Sequence, residues 1–152
     1  MISGKKLKEL RLMRGLTQKE LAIMSKLTDA AIRNYELGNR SPTKEQLQMI
    51  ADALQVDISA LIDHDPISNT EIYQIIFDYE KDMKFRPIIE TGTARLVSGN
   101  TEFSDFLVEW DEMRTKHYNG EISDQELDDW KLSYPKKSRF LRKANTKKDR
   151  ND

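Results

Sequence analysis

The chain has 152 residues, 34% of them charged and 38% hydrophobic, with a net charge of -1, which suits one domain of ordinary size or two small ones. It holds no cysteine, which excludes disulfides, thiolate metal sites and a cysteine nucleophile and fits a reducing setting. No apolar run approaches the ~20 residues that span a membrane, and Lys5, Lys6 and Lys8 sit in a helical pattern without the apolar core of a signal peptide, so the expected location is cytoplasmic. Charge is unevenly spread. Residues 1–62 carry ten Lys and Arg against seven Asp and Glu, residues 63–135 seven against seventeen, and residues 136–152 eight against two. The acidic middle argues against nucleic acid lying there, whereas a basic stripe on the head suffices to hold phosphates.

In chain order, Leu7, Leu10 and Met13 or Arg14 recur at helical spacing and predict a helix from about Ser3 to Arg14, stopped by Gly15. Thr17 followed by Glu20 forms a capping box, with Leu16 as a staple and Leu21, Ala22 and Met24 on the apolar side of a second helix. The pattern restarts at Thr28, an N-cap, and Ile32 with Tyr35 marks the inner face of a third helix that ends at Gly38. Small Ala22 lets the second and third helices cross closely. The outer side of the third helix carries Asp29, Ala30, Arg33 and Asn34. Solvated residues of a helical hairpin are the plain reading, but these groups also suit base edges: Arg reads guanine, Asn reads adenine and Ala lies against a thymine methyl. Glu36, at the C-terminal end of that helix, sits where the dipole disfavours an anion, so it calls for a cationic partner.

Gly15-Leu16-Thr17-Gln18, Leu21-Ala22 and Ile32, Tyr35, Glu36 and Gly38 together resemble the Cro/XRE family of helix-turn-helix regulators, the family of lambdoid phage repressors, over residues 4 to about 62. The resemblance implies that Gln18, Asp29, Ala30, Arg33 and Asn34 face bases or nearby phosphates. It also implies that Arg14, Thr17, Thr28, Asn39 and Arg40 lie near the DNA backbone, and that Arg11 pairs with Glu36 in a structural, at least half-buried ion pair. Lys26 departs from the family pattern, which often has Gly there in a left-handed turn. That conformation costs a non-glycine residue about 1–2 kcal/mol.

Thr43 and Gln46 form another capping box, followed by Leu47, Ile50, Ala51 and Leu54, and then Val56, Ile58, Leu61 and Ile62 close the apolar set. A five-helix DNA-binding head over residues 1–63 is expected, then a linker at 64–68 in which Pro66 discourages helix. His64 between Asp63 and Asp65 is read as solvated linker rather than a metal site. A small α+β domain is expected over 69–135. It opens with a helix to Lys84 striped by Ile72, Ile75, Ile76, Tyr79 and Met83, and continues with a hairpin within Phe85–Asn100. A helix bearing Phe103, Phe106, Leu107, Trp110 and Met113 runs to Gly120, and a last helix, boxed by Ser123 and Glu126, carries Leu127 and Trp130 before Tyr134-Pro135. The Gly-Glu-Ile-Ser turn, Trp helix and Tyr-Pro stop resemble C-terminal parts of regulators carried by bacterial mobile elements. Residues 136–152 read as a basic, disordered tail. The fold class is thus mainly α, a Cro/repressor-like head plus a small helix-hairpin-helices domain.

An enzyme is not expected. The carboxylates Asp105, Glu109, Asp111, Glu112, Asp124, Glu126, Asp128 and Asp129 flank the aromatic stripe as a solvated face, whereas acid–base catalysis needs carboxylates in contrasting, partly dry environments. There is no phosphate-cradling glycine loop, and no cofactor or metal is called for. Phe103, Phe106, Trp110, Trp130 and Tyr134 are core by default, with a ligand pocket or a dimer or partner interface as the alternatives. The functional expectation is a homodimeric repressor of transcription that occupies a pseudo-palindromic operator in double-stranded DNA. The alternative is an antitoxin-like interaction protein whose acidic half binds a protein partner and which autoregulates its operon; a peptide effector is a further possible partner.

Overall fold

The structure, a computed structural model, describes residues 2–64 and 67–140. The head begins with α1 (Gly4–Met13), α2 (Gln18–Met24), α3 (Asp29–Glu36) and α4 (Lys44–Leu54), followed by a 3-10 turn at Ile58–Leu61. Each start has the cap its sequence calls for. Ser3 and Thr28 accept from the backbone amides of Lys6 and Ala31, and the Thr17–Glu20 and Thr43–Gln46 boxes are closed in both directions.

All four helices end in the same way. At the end of α2 the Lys26 amide reaches the Ile23 carbonyl and the Leu27 amide reaches Ala22, the paired bonds of a Schellman motif. Gly15, Gly38 and Gln55 hold the equivalent position after α1, α3 and α4. The motif needs a left-handed residue, and Lys26 (φ 55) and Gln55 (φ 57) adopt it without being glycine. Each accepts about 1–2 kcal/mol of backbone strain to do so. The conformation expected at Lys26 is thus present, and Gln55 repeats it at a position whose sequence carries no warning.

Eleven buried side chains from these elements form one core: Leu7, Leu10, Leu21, Ala22, Ile32, Tyr35, Ile50, Ala51, Leu54, Val56 and Leu61. The start of α1 closes tightly on the end of α3. A Cβ on Gly4 would lie 2.5 Å from the Glu36 carbonyl oxygen and 2.6 Å from that of Tyr35, so this approach requires glycine.

Contacts divide the chain differently from the expected boundary. One unit is Met1–His64 together with the chain from Asp128 onward, and the other is Asp65–Leu127. The boundary falls inside the last helix, α8 (Asp124–Ser133). Within the first unit Leu132 packs against the head core, and its carbonyl accepts from the Asp57 amide at 2.8 Å. Lys136 donates to the Val56 carbonyl at 2.6 Å and to Asp52 at 3.0 Å, which holds the Asp52 carboxyl below its ordinary range, and Ser133 and Ser138 are buried. The opening residues of the expected basic tail are therefore fastened to the head. Residues 141–152 of that tail, and 65 and 66 of the expected linker, lie outside the described residues.

The second unit holds α5 (Asn69–Asp78), α6 (Glu80–Met83), the antiparallel pair β1 (Phe85–Glu90) and β2 (Thr93–Ser98), and α7 (Thr101–Tyr118). The helix expected from 69 to 84 is interrupted at Tyr79. The hairpin pairs Phe85 with Ser98 through to Glu90 with Thr93, around a two-residue turn in which Gly92 takes φ +75. Phe85 meets Phe103 and Phe103 meets Phe106 edge to face, at centroid spacings of 5.2 and 5.8 Å, and Phe106 stacks on Trp110 at 5.7 Å. Among the described residues 67–127, however, only Glu109 and Leu127 are buried. No helix among the described residues is long and apolar enough to cross a membrane.

The packing of the C-terminal segment on the head is directly measurable. Leu132→Ala in the intact protein should lower unfolding free energy by about 1–3 kcal/mol, around the low end of the range for buried Leu→Ala changes because the side chain is only half-buried. An unchanged urea midpoint would show that the segment adds nothing to the head.

Candidate nucleic-acid interface

The 3.6-residue period of α3 turns Ile32 and Tyr35 into the core and leaves Asp29, Ala30 and Arg33 exposed and Asn34 half-buried on its other side. Core contacts hold the inner face in one rotation. The Tyr35 hydroxyl donates to Gln46 Oε1 at 2.9 Å, and the same oxygen accepts the Thr43 amide at 2.9 Å, so the cap of α4 and the inner face of α3 share an atom.

The end of α3 is fixed by charge. Arg11 Nε and Nη2 donate to Glu36 Oε1 and Oε2 at 2.5 and 3.0 Å, a two-pronged pair whose side chains are 8% and 3% exposed. Arg11 Nη1 also donates to the Leu16 carbonyl at 2.8 Å, and Gln18 Nε2 donates to Glu36 Oε2 at 2.8 Å. One carboxylate thus joins the end of α3 to α1 and to the start of α2. Burial by itself would raise the Glu36 carboxyl, but hydrogen bonds from Arg11 and Gln18 and the attraction of Arg11 and Lys8 outweigh it and hold its pKa below the ordinary value. The hydrogen bond to Glu36 raises the Arg11 guanidinium in turn.

Gln18, Asp29, Ala30, Arg33 and Asn34, all singled out from the sequence as base-facing, line one shallow depression of about 400 Å³ with Leu37 and Asn39. Thr17 and Thr28 are exposed at the starts of α2 and α3, where their side-chain oxygens accept amide hydrogens, and Arg40 is exposed beyond α3. Arg14 stands apart. Its Nε donates to the Leu54 carbonyl at 2.8 Å and its Nη1 pairs with Asp129, so its guanidinium serves α4 and the C-terminal segment. Phe103, Phe106 and Trp110 are engaged with one another, whereas Trp130 is buried and meets Tyr134 edge to face at 5.3 Å. Asp129, which holds Arg14, was placed by sequence in a solvated acidic face, because nothing in its local pattern points 115 positions back along the chain.

Two short helices, a tight left-handed turn between them and a second helix that offers planar polar groups outward define a helix-turn-helix DNA-binding protein. The helix-turn-helix family model matches residues 7–61. Among solved structures, the restriction-modification controller protein C.AhdI from Aeromonas hydrophila is 32% identical over 39% of this chain and 89% of its own, with a TM-score of 0.38. The clp gene regulator ClgR from C. glutamicum is 26% identical over 38% of this chain and 75% of its own, with a TM-score of 0.37. A SinR–SinI complex matches at 18% identity over 77% of this chain and 100% of that one, with a TM-score of 0.42. No curated protein matches. Residues 7–61 are a helix-turn-helix domain of the Cro/XRE family, and the chain is a DNA-binding transcriptional regulator.

The depressed Glu36 pKa gives a pH test. A carboxyl lowered on folding contributes stability that is whole above its unfolded pKa of about 4.3 and is lost as pH falls through its folded value. Glu36→Gln should therefore destabilise the protein at pH 7, with the gap between variant and wild type narrowing at pH 3. Glu36→Ala, which strands a buried Arg11, should cost about 3–5 kcal/mol at pH 7. Equal urea-midpoint differences at both pH values would mean that the pair contributes no pH-linked stability.

Proposed function

We propose that the protein is a homodimeric repressor that occupies a pseudo-palindromic operator with one α3 helix in each of two successive major grooves. The observation that carries this reading is the single depression lined by Gln18, Asp29, Ala30, Arg33 and Asn34, the outer groups of a helix whose inner face is held in the core. Arg33 reads guanine through two hydrogen bonds, Asn34 reads adenine, Ala30 meets a thymine methyl and Asp29 accepts from the cytosine amino group. Thr17 and Thr28 keep a hydroxyl proton to donate to phosphate oxygens while their oxygens cap α2 and α3. Asn39 and Arg40 supply further backbone contacts. Gln18, tied to Glu36, positions α2 as well as facing the DNA.

One half-site is too short to be found in a genome, so two copies are required, with their recognition helices about 34 Å apart, one duplex turn. The unit Asp65–Leu127, among whose described residues only Glu109 and Leu127 are buried, supplies the association. Repression follows from occupancy, the bound dimer excluding other proteins from a promoter. The protein acts by binding in the cytoplasm, without catalysis.

Selection of bound fragments from random DNA gives the operator, and the same selection with variants separates base readers from phosphate holders. Arg33→Ala and Asn34→Ala should each relax preference at particular positions by about 1–3 kcal/mol. Arg40→Ala should weaken all sequences similarly and reduce the salt dependence of affinity by roughly one phosphate contact. An Arg40 variant with altered preference beside an Arg33 variant with none would misplace α3.

A further inference from the structure

The described residues of the second unit form almost no core. Of its described residues only Glu109 and Leu127 are buried, against eleven core side chains in the head. Phe103, Phe106 and Trp110 of α7 are engaged with one another and with Phe85. Ile89, Leu96, Val108, Trp110 and Tyr118 are exposed singly on β1, β2 and α7, whereas α5 leaves a continuous face uncovered. Ile72, Ile75, Ile76 and Tyr79 form one stripe along it, Tyr73 and Phe77 widen the stripe past half the circumference, and no residue of the helix is buried. Phe77 is 64% exposed and Tyr73 53%. A helix apolar over most of its surface belongs inside something.

We infer that α5 is the surface on which a second copy of this chain docks, stripe against stripe across a twofold axis near Ile75 and Ile76. The inference rests on the dimeric reading above and names the surface that serves it. The charge pattern of α5 fits a copy of itself. Its only charged residues, Glu71 and Asp78, lie with Gln74 on the side opposite Ile72 and Ile76, so a self-pairing buries neither carboxylate. The area fits as well. The exposed apolar side chains of α5 and Tyr79 offer on the order of 500 Å², a patch at the upper end of what monomers leave bare and a large share of the ~800 Å² each partner gives to a stable dimer. Isologous pairing also yields the two-fold symmetry that two half-sites demand.

The test uses the full chain. Wild type should sediment as a dimer at micromolar concentration, and the double substitution Ile72→Lys with Ile76→Lys should sediment as a monomer with unchanged circular dichroism and operator affinity reduced about 100-fold or more. Because the chain has no cysteine, a single one is a clean probe. Ile76→Cys should give a covalent dimer with a short bismaleimide, and Gln74→Cys should not. This arm decides the matter if the lysine variant fails to fold. A wild-type dimer that survives the lysines, or crosslinks at residue 74 but not 76, overturns the α5 surface and leaves the dimeric reading intact, with the stripe then open to a different protein. A wild-type monomer that binds its operator as one chain overturns the dimeric reading itself.

Discussion

The orientation of α3 depends on the Glu36 carboxylate. Its two oxygens accept from Arg11 on α1 and from Gln18 at the start of α2, and Arg11 in turn closes on the Leu16 carbonyl. A buried ion pair is poor evidence of net stability, because the cost of removing both charges from water offsets most of the attraction. Its value here is geometric. Three helix ends meet at one planar, two-pronged pair, so α3 cannot turn about its axis without breaking hydrogen bonds inside the protein. The anion also sits at the C-terminal end of α3, where the helix dipole is unfavourable, and the guanidinium answers that charge.

Around this pair the head is assembled from short helices that are unstable alone. Helices of seven to eleven residues are too short to persist by propensity, so caps and turns define their ends and the shared core holds them. Lys26 and Gln55 show how strongly the turns are demanded, since both take a left-handed conformation that glycine would adopt without strain. The segment after Asp128 adds Leu132, Lys136 and buried Ser138 to the same unit, so the head in sequence encloses Asp65–Leu127 as an insertion.

What the sequence makes legible follows the range of the interaction. Caps join residues three apart, and the inner stripes recur at three and four, so the starts of α1 to α4, the inward turn of Ile32 and Tyr35 and the outward placement of Asp29, Ala30 and Arg33 can all be read from local pattern. The Arg11–Glu36 pair spans 25 positions and became visible through the family resemblance joined to the dipole argument. The contacts of Lys136 with Val56 and of Asp129 with Arg14 span 80 and 115 positions between residue types that are ordinary on any surface, and no local signal marks them. Arg14 illustrates the consequence. By its place before Gly15 it looks like a phosphate contact, while its guanidinium is occupied by Leu54 and Asp129. The pause at Tyr79 was hidden too, because the apolar stripe runs on through it.

The central claim is that α3 reads the major groove from two copies of the chain, and chemical interference on the selected operator tests it most directly. Dimethyl sulfate methylates guanine N7 in the major groove and adenine N3 in the minor groove, and each modified position is scored for loss of binding. Loss should occur at guanine N7 in two clusters about 10 base pairs apart on one face of the duplex, with adenine N3 positions between them neutral. Interference at adenine N3 alone, or a single cluster with no symmetry mate, would contradict the account.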